Sequence, residues 1–240
     1  MRKLPVRSEL PIKTLLKINS KKLAIDNVGG RVLRISTATQ LYNNSRGAKW
    51  FLPVVEALEV MVGIGQRCMC CSGGEAAQVE HYRPKSTNPE LAFTWSNLLW
   101  ICGVCNLSKG DDFDEGCLPI NPVEENVWDY FFIDEFGNFC ANWSEESNAL
   151  NLRAVETIRL YDLDRQSLQE TRLARLQELT RLLEDSAVLK KQDQVSDEEL
   201  QLRVLEFHGN PLQPDVADYF LNGPGCSEPL VEQFFAIAGL

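Results

Sequence analysis

Residues 68–110 read CMCCSGGEAAQVEHYRPKSTNPELAFTWSNLLWICGVCNLSKG, and this stretch decides the architecture. It opens on Cys68-Met69-Cys70-Cys71 and ends just past Cys102-Gly103-Val104-Cys105. A two-residue gap in a tight turn brings two thiolates to one ion, and two such turns supply the four sulfurs of a closed tetrahedral zinc site. Cysteines that merely pack have no reason to pair this way in both halves. Cys68, Cys71, Cys102 and Cys105 are therefore the expected zinc ligands, with Cys70 able to replace Cys68 or Cys71. The 30 residues between the pairs exceed the roughly 15–20 of an ordinary zinc ribbon, which leaves room for an insertion. Cys117, Cys140 and Cys226 read as small hydrophobes.

The insertion carries the chemistry. It holds Glu80-His81-Tyr82-Arg83-Pro84-Lys85 and Trp95-Ser96-Asn97-Leu98-Leu99, and Asn106-Leu107-Ser108-Lys109-Gly110 follows the last cysteine. An imidazole titrates near neutrality and can take a proton from water, which suits His81 to general-base work. The Glu80 carboxylate and the Asn106 amide oxygen are hard ligands of the kind Mg²⁺ or Mn²⁺ prefers. Asn97 is placed to accept from the second imidazole nitrogen and fix its orientation. Arg83, Lys85 and Lys109 are candidate phosphate contacts. One geometric tension stands: neighbours on a regular strand face opposite sides, so Glu80 and His81 share a site only where the strand ends or bulges.

These residues resemble the HNH nuclease family, the ββα-metal fold. The shared pattern is C-x-x-C, then Glu-His-x-x-Pro-Lys, then Asn-Leu-Leu-x-x-Cys-x-x-Cys-Asn-x-x-Lys-Gly, carried by Cys68, Cys71, Glu80, His81, Pro84, Lys85, Asn97, Leu98, Leu99, Cys102, Cys105, Asn106, Lys109 and Gly110. The resemblance implies that His81 ends one hairpin strand and that Asn97 precedes the second. It also implies that the zinc turns clamp the hairpin to a helix opening near Cys105, where Asn106 faces a scissile phosphate. The third position of the motif is Asn106 where many members have His. The implied reaction is metal-assisted phosphodiester hydrolysis, with His81 as base, Mg²⁺ or Mn²⁺ on Glu80 and Asn106, and Asn97 orienting the base. Leu118-Pro119-Ile120-Asn121-Pro122, residues 130–137 and residues 154–163 extend the likeness to the PtuB-like HNH subunits of Septu-type and retron-linked antiphage defence. That group implies an ABC/SMC-type ATPase partner, PtuA, and in retron-linked systems a reverse transcriptase with its msDNA.

The rest of the chain is read from charge and periodicity. The 240 residues carry a net charge of −10, yet residues 1–50 hold eleven Lys and Arg against Glu9 and Asp26, and the remainder holds 13 bases against 32 acids. Nucleic acid is thus reached through the basic end or a partner, since the acidic bulk repels phosphate. The alternation of residues 30–37 predicts a strand, and the apolar steps of residues 48–64 a helix. Residues 111–146 have eleven acids and no Lys or Arg, and read as an irregular or hairpin connection whose aromatics pack back. Helical periods follow at 152–163 and 168–183, the latter a leucine stripe, and further helices are expected at 196–207 and 228–238.

The expected fold is α+β: a small zinc-clamped ββα-metal module in a mainly α-helical chain. Its parts are a basic segment (1–47), the HNH module with its acidic aromatic connection (48–148) and a helical region (149–240). No apolar run approaches the roughly 20 residues of a membrane span, and the basic start lacks an apolar signal core, so the expected location is cytoplasmic. Such a composition excludes disordered and fibrous classes. Two rival readings keep the zinc site: a non-catalytic ribbon that recruits a partner through the acidic aromatic segment, and a nuclease whose target is RNA such as tRNA rather than DNA.

Overall fold

The computed structural model describes residues 1–63, 65–192 and 214–223, with isolated positions Ser196, Glu199, Leu202, Arg203, Glu206 and Phe207. The helix expected at 228–238, His208 and Cys226 lie outside the described residues, as does most of the helix expected at 196–207.

The expected mixed architecture is present. Two helices, α1 (Ile12–Asp26) and α2 (Arg31–Ser45), precede α3 (Leu52–Val62). An antiparallel hairpin follows, β1 (Gln78–His81) against β2 (Leu98–Ile101), in a register that pairs Gln78 with Ile101 and His81 with Leu98. The short helix α4 (Gly103–Lys109) leaves β2 directly. A second hairpin, β3 (Phe131–Ile133) with β4 (Phe139–Ala141), and a two-residue ladder, β5 (Trp143–Ser144) with β6 (Ala149–Leu150), lead into α5 (Leu152–Tyr161) and α6 (Gln166–Lys191). The last described element is α7 (Pro214–Asn222).

Local chemistry sets these elements. Pro53 sits in the first turn of α3, where its missing N–H costs no hydrogen bond, and Gly63 at φ 71° closes that helix. The Asn151 side chain caps α5 by accepting from the Ala154 N–H, and the Cys102 sulfur does the same for Cys105 at the start of α4. In the β3–β4 turn, Asp134 Oδ1 accepts from the backbones of Phe136 and Asn138. Gly137 lies there so close to α6 that a Cβ would stand 2.6 Å from the Gln169 carbonyl.

The strand expected at 30–37 is instead the first half of α2. Its buried positions, Ala38, Tyr42 and Ser45, recur at helical spacing, whereas Val32 and Leu33 of the apparent alternation are 80% and 60% exposed. The expected hairpin within 111–146 is present, with Trp128, Phe131 and Phe139 buried behind it.

One core runs from Met1 through the first hairpin to α5, α6 and α7. The basic amino-terminal residues are built into it. Arg7 donates to the carbonyls of Ser96 and Leu98 ahead of and within β2, Tyr42 Oη donates to the Val79 carbonyl in β1, and Lys22 donates to Thr94. The α6 face turned inward carries Leu168 and Leu179 but also Arg172 and Arg175. Arg172 binds Asp215 of α7 at 3.0 Å, Asp215 also takes the amino-terminal ammonium of Met1 at 3.3 Å, and Asp218 accepts from the Trp128 indole at 2.8 Å. Charges so fully buried hold only when paired, and removing one partner strands the others. Among the described residues no helix is long and apolar enough to cross a membrane.

Candidate active site

The sulfur atoms of Cys68, Cys71, Cys102 and Cys105 all lie within 4.8 Å of one another and are buried. Cys70, also buried, is not in this group, so the geometry favours Cys68 and Cys71 as the pair from this turn. The turn is anchored by Met69 N–H on the Trp100 carbonyl and by Cys68 N–H on the Gly74 carbonyl. Gly74 is needed there, because a Cβ would stand 2.9 Å from the Cys102 sulfur. The donor set suits a cation. Hydrogen bonds from the Cys102, Cys105 and Cys68 thiols drive Cys71 far below the usual thiol range, and the Gly74 N–H adds to this. Arg165 faces the cluster: burial lowers its pKa, but the charge and hydrogen bonds of Cys71 and Cys105 outweigh that and raise it. Four soft, buried sulfurs fit Zn²⁺ as a closed structural site. The clamp joins the turn before β1 to the start of α4, so it sets the hairpin against the helix that carries Asn106.

Where β1 ends, the tension between Glu80 and His81 disappears. His81 is the last residue of the strand, and the Glu80 side chain turns back to accept from the His81 N–H at 2.9 Å. Its Oε1 then lies 3.5 Å from His81 Nδ1. Burial would raise the Glu80 pKa, but the His81 backbone N–H, the charged form of the His81 ring and the nearby Lys109 oppose this and lower it. Glu80 and Asn106 line the same cavity, of about 590 Å³, together with Gln78, Lys85, Trp100 and, from α2, Tyr42, Asn43 and Arg46. Asn106 Nδ2 donates to Gln78 Oε1 at 2.6 Å, and its Oδ1 takes no hydrogen bond among the described residues.

His81 departs from expectation. The residue is 1% exposed, the Tyr42 ring lies over it with centroids 4.4 Å apart, and it does not line the cavity. Its Nε2 lies 2.9 Å from the Ala92 carbonyl. A carbonyl only accepts, so Nε2 carries the proton and Nδ1 is left to act as base. Among the described residues Nδ1 has no hydrogen-bond partner, and it faces the Glu80 carboxylate. A nitrogen lone pair and a carboxylate oxygen 3.5 Å apart repel unless a proton or a cation lies between them. That juxtaposition, with an amide oxygen in the same cavity, fits a hard divalent ion on Glu80 and Asn106.

Among the described residues Asn97 makes no hydrogen bond to the imidazole. Its Oδ1 accepts from the Arg83 N–H, its Nδ2 donates to the carbonyls of Arg83 and Leu91, and its own carbonyl accepts from Tyr82 N–H. It ties down the 83–91 loop, and the Ala92 carbonyl at the loop's end does the orienting. Sequence reasoning missed Ala92 because a backbone carbonyl carries no residue-type signal. The phosphate contacts also divide. Lys85 lines the cavity with its ammonium 5.7 Å from the Tyr42 ring centroid, whereas Arg83 is held by Glu115 at 2.9 Å. Lys109 is 1% exposed, and among the described residues its ammonium has no hydrogen-bond partner, so it is not presented at the surface as a phosphate contact would be. Burial lowers its pKa, and the charge of Glu80 opposes the shift.

Residues 66–112 match the HNH endonuclease family model. The chain is also similar to the Septu protein PtuB of Bacillus thuringiensis, at 26% identity over 132 residues, which is 53% of this chain and 49% of that protein. The chain carries an HNH module and is PtuB-like. It spans about half the length of that relative. The HNH match contains the four cysteines, Glu80, His81, Asn97 and Asn106. Tyr42, Asn43 and Arg46, which complete the cavity, come from outside it.

Proposed function

We propose that this protein is a metal-dependent HNH endonuclease that hydrolyses phosphodiester bonds, with DNA the favoured substrate. We place it as the nuclease subunit of a Septu-type antiphage complex with a PtuA-like ATPase. The observation that carries the reading is the imidazole of His81. Its Nε2 proton is spent on Ala92, and its free nitrogen faces an ionised carboxylate that shares a cavity with Asn106. A zinc ribbon that only recruits partners needs the four sulfurs and no such pair, which is why the catalytic reading is preferred.

Glu80 and Asn106 would hold Mg²⁺ or Mn²⁺, and when bound such an ion offsets the charge that gathers on a phosphate as its ester bond breaks. The chain's own residues supply the rest. His81 Nδ1 takes the proton from the attacking water. Ala92 keeps the ring in the tautomer that leaves this nitrogen free, and Asn97 holds the loop bearing Ala92. His81 is 1% exposed, with Tyr42 and Glu80 packed against its ring, so local opening is required to admit water to Nδ1. The acidic bulk of the chain disfavours unaided binding to nucleic acid, so a basic partner surface is part of the proposal.

The test compares purified protein, with and without its ATPase partner, on duplex DNA, single-stranded DNA and tRNA, using parent and His81→Ala. General-base loss costs about 10²–10⁴-fold, so His81→Ala is expected to be nearly silent while retaining zinc. A His81→Ala protein as active as the parent would overturn the mechanism, and cleavage confined to tRNA would replace DNA with RNA as the substrate.

A further inference from the structure

We infer that Arg46, at the end of α2, is a substrate-binding residue of the HNH site and that, together with Lys85, it holds backbone phosphates of the nucleic-acid strand on either side of the scissile bond. This rests on the nuclease reading above and adds to it a binding group that the HNH match does not contain.

The arrangement begins with Tyr42. Its hydroxyl is fixed to the Val79 carbonyl at 2.8 Å, which pins α2 against β1 at the edge of the cavity. Residues one and four positions later on a helix lie beside and above such an anchor. Asn43 and Arg46 accordingly line the cavity with Tyr42, together with Glu80 and Asn106. Gly47 also lines the cavity, and both it and Arg46 are exposed. Lys85 lines the cavity too, with its ammonium over the Tyr42 ring. The cavity thus has two cations at its edge and one carboxylate, Glu80, among its lining residues.

What sets these two cations apart is their place in the cavity lining. Arg83, Arg153, Arg159, Arg172 and Arg175 each sit on a carboxylate, as expected in a chain with 34 acids and 24 bases. Among the described residues neither Arg46 nor Lys85 has a carboxylate within ion-pair distance. A cation left unneutralised in an acidic protein, beside a carboxylate and an amide oxygen suited to a divalent ion, matches a polyanion that must cross that point. A phosphodiester strand lying over Glu80 and Asn106 places its neighbouring phosphates within reach of the cavity rim. Arginine suits this position because its planar fork engages two phosphate oxygens at once.

A competing account is local: a cation at a helix carboxyl end interacts favourably with the helix dipole, and the Arg46 N–H already closes α2 on the Tyr42 carbonyl. The two accounts differ in what they move. Binding of a fluorescent single-stranded DNA oligonucleotide would be measured over a range of salt with full-length protein in the His81→Ala background, with and without the ATPase partner. Cleavage kinetics and melting temperature would be taken with His81 intact. Arg46→Glu is expected to weaken binding at least tenfold and to lower the salt slope by about one, the loss of one phosphate contact. It should raise KM far more than it lowers kcat, and Arg46→Lys should recover most of the affinity. If Arg46→Glu lowers the melting temperature while affinity and salt slope stay at the parental values, the dipole account holds and the inference is wrong. If the parent itself neither binds nor cuts nucleic acid, the nuclease reading fails first. Cutting by the parent with unchanged binding by Arg46→Glu removes only this inference.

Discussion

Asn97→Ala separates a residue that touches the base from one that holds the scaffold behind it. Asn97 is 5% exposed and its side chain makes three hydrogen bonds to the loop, at 2.8 Å to the Arg83 N–H and at 3.1 and 3.2 Å to the Arg83 and Leu91 carbonyls. Each such bond is worth about 1 kcal/mol net, and stranding buried partners adds to that, so the substitution should cost roughly 2–4 kcal/mol. In a chain of this size that corresponds to a melting temperature about 5–15 °C lower. The Ala92 carbonyl then loses its fixed position, and misplacing a supporting group of this kind lowers activity about 10–100-fold. Asn97→Asp keeps the acceptor for Arg83 but turns a carboxylate toward two carbonyls, so it should be no better than alanine. The assay pairs calorimetric melting with cleavage of a labelled oligonucleotide, with and without the proposed ATPase partner. An Asn97→Ala protein that melts with the parent yet loses cleavage would refute the reasoning, because Asn97 would then act on the reaction and not on the loop.

Two further outcomes follow from the geometry. Metal analysis of the purified protein should find a single zinc, retained in Cys70→Ser and lost in Cys102→Ser together with cooperative unfolding, since the binding energy of such a site is folding energy; retention of zinc by Cys102→Ser would place the site elsewhere. Glu125 is bound by Arg153 through two N–H donors at 2.8 Å, and although burial raises its pKa, those bonds hold it below its ordinary 4.5. A carboxylate with a depressed folded-state pKa contributes stability above its unfolded value that is lost as the pH falls below it. Glu125→Gln should therefore lose less stability than the parent between pH 7 and pH 4, measured as urea midpoints, and equal losses would show that this pair is not a source of acid sensitivity.

How much of this was legible in the sequence depended on whether side chains or backbone carried the signal. The paired cysteines named their own cluster, because ligand spacing is a side-chain property that survives without coordinates. The ends of β1 and the start of β2 fell where Glu80-His81 and Asn97 required them. The helix at 31–45 was misread because six residues happened to alternate, while its buried face relies on Ala38, Tyr42 and Ser45, a small, an amphipathic and a polar residue that hydropathy patterns pass over. The leucine stripe of α6 does not show that Arg172 and Arg175 share its buried face, because their partners, Asp215 and the Phe207 carbonyl, lie far along the chain. Lys109 looked like a surface charge beside the last cysteine, and only the packing of the α4 turn reveals its burial. Tyr42 and Arg46 stand more than 30 residues before Glu80, without a motif to connect them.

The aromatic cover on residue 81 also bears on how the site is interrogated at the bench. Histidine-directed reagents reach a ring in proportion to its contact with solvent, and this ring has almost none. Sluggish acylation of His81 would therefore report the closed stacking of Tyr42 and carry no information about whether the nitrogen serves in turnover, so genetic replacement is the appropriate tool for that position.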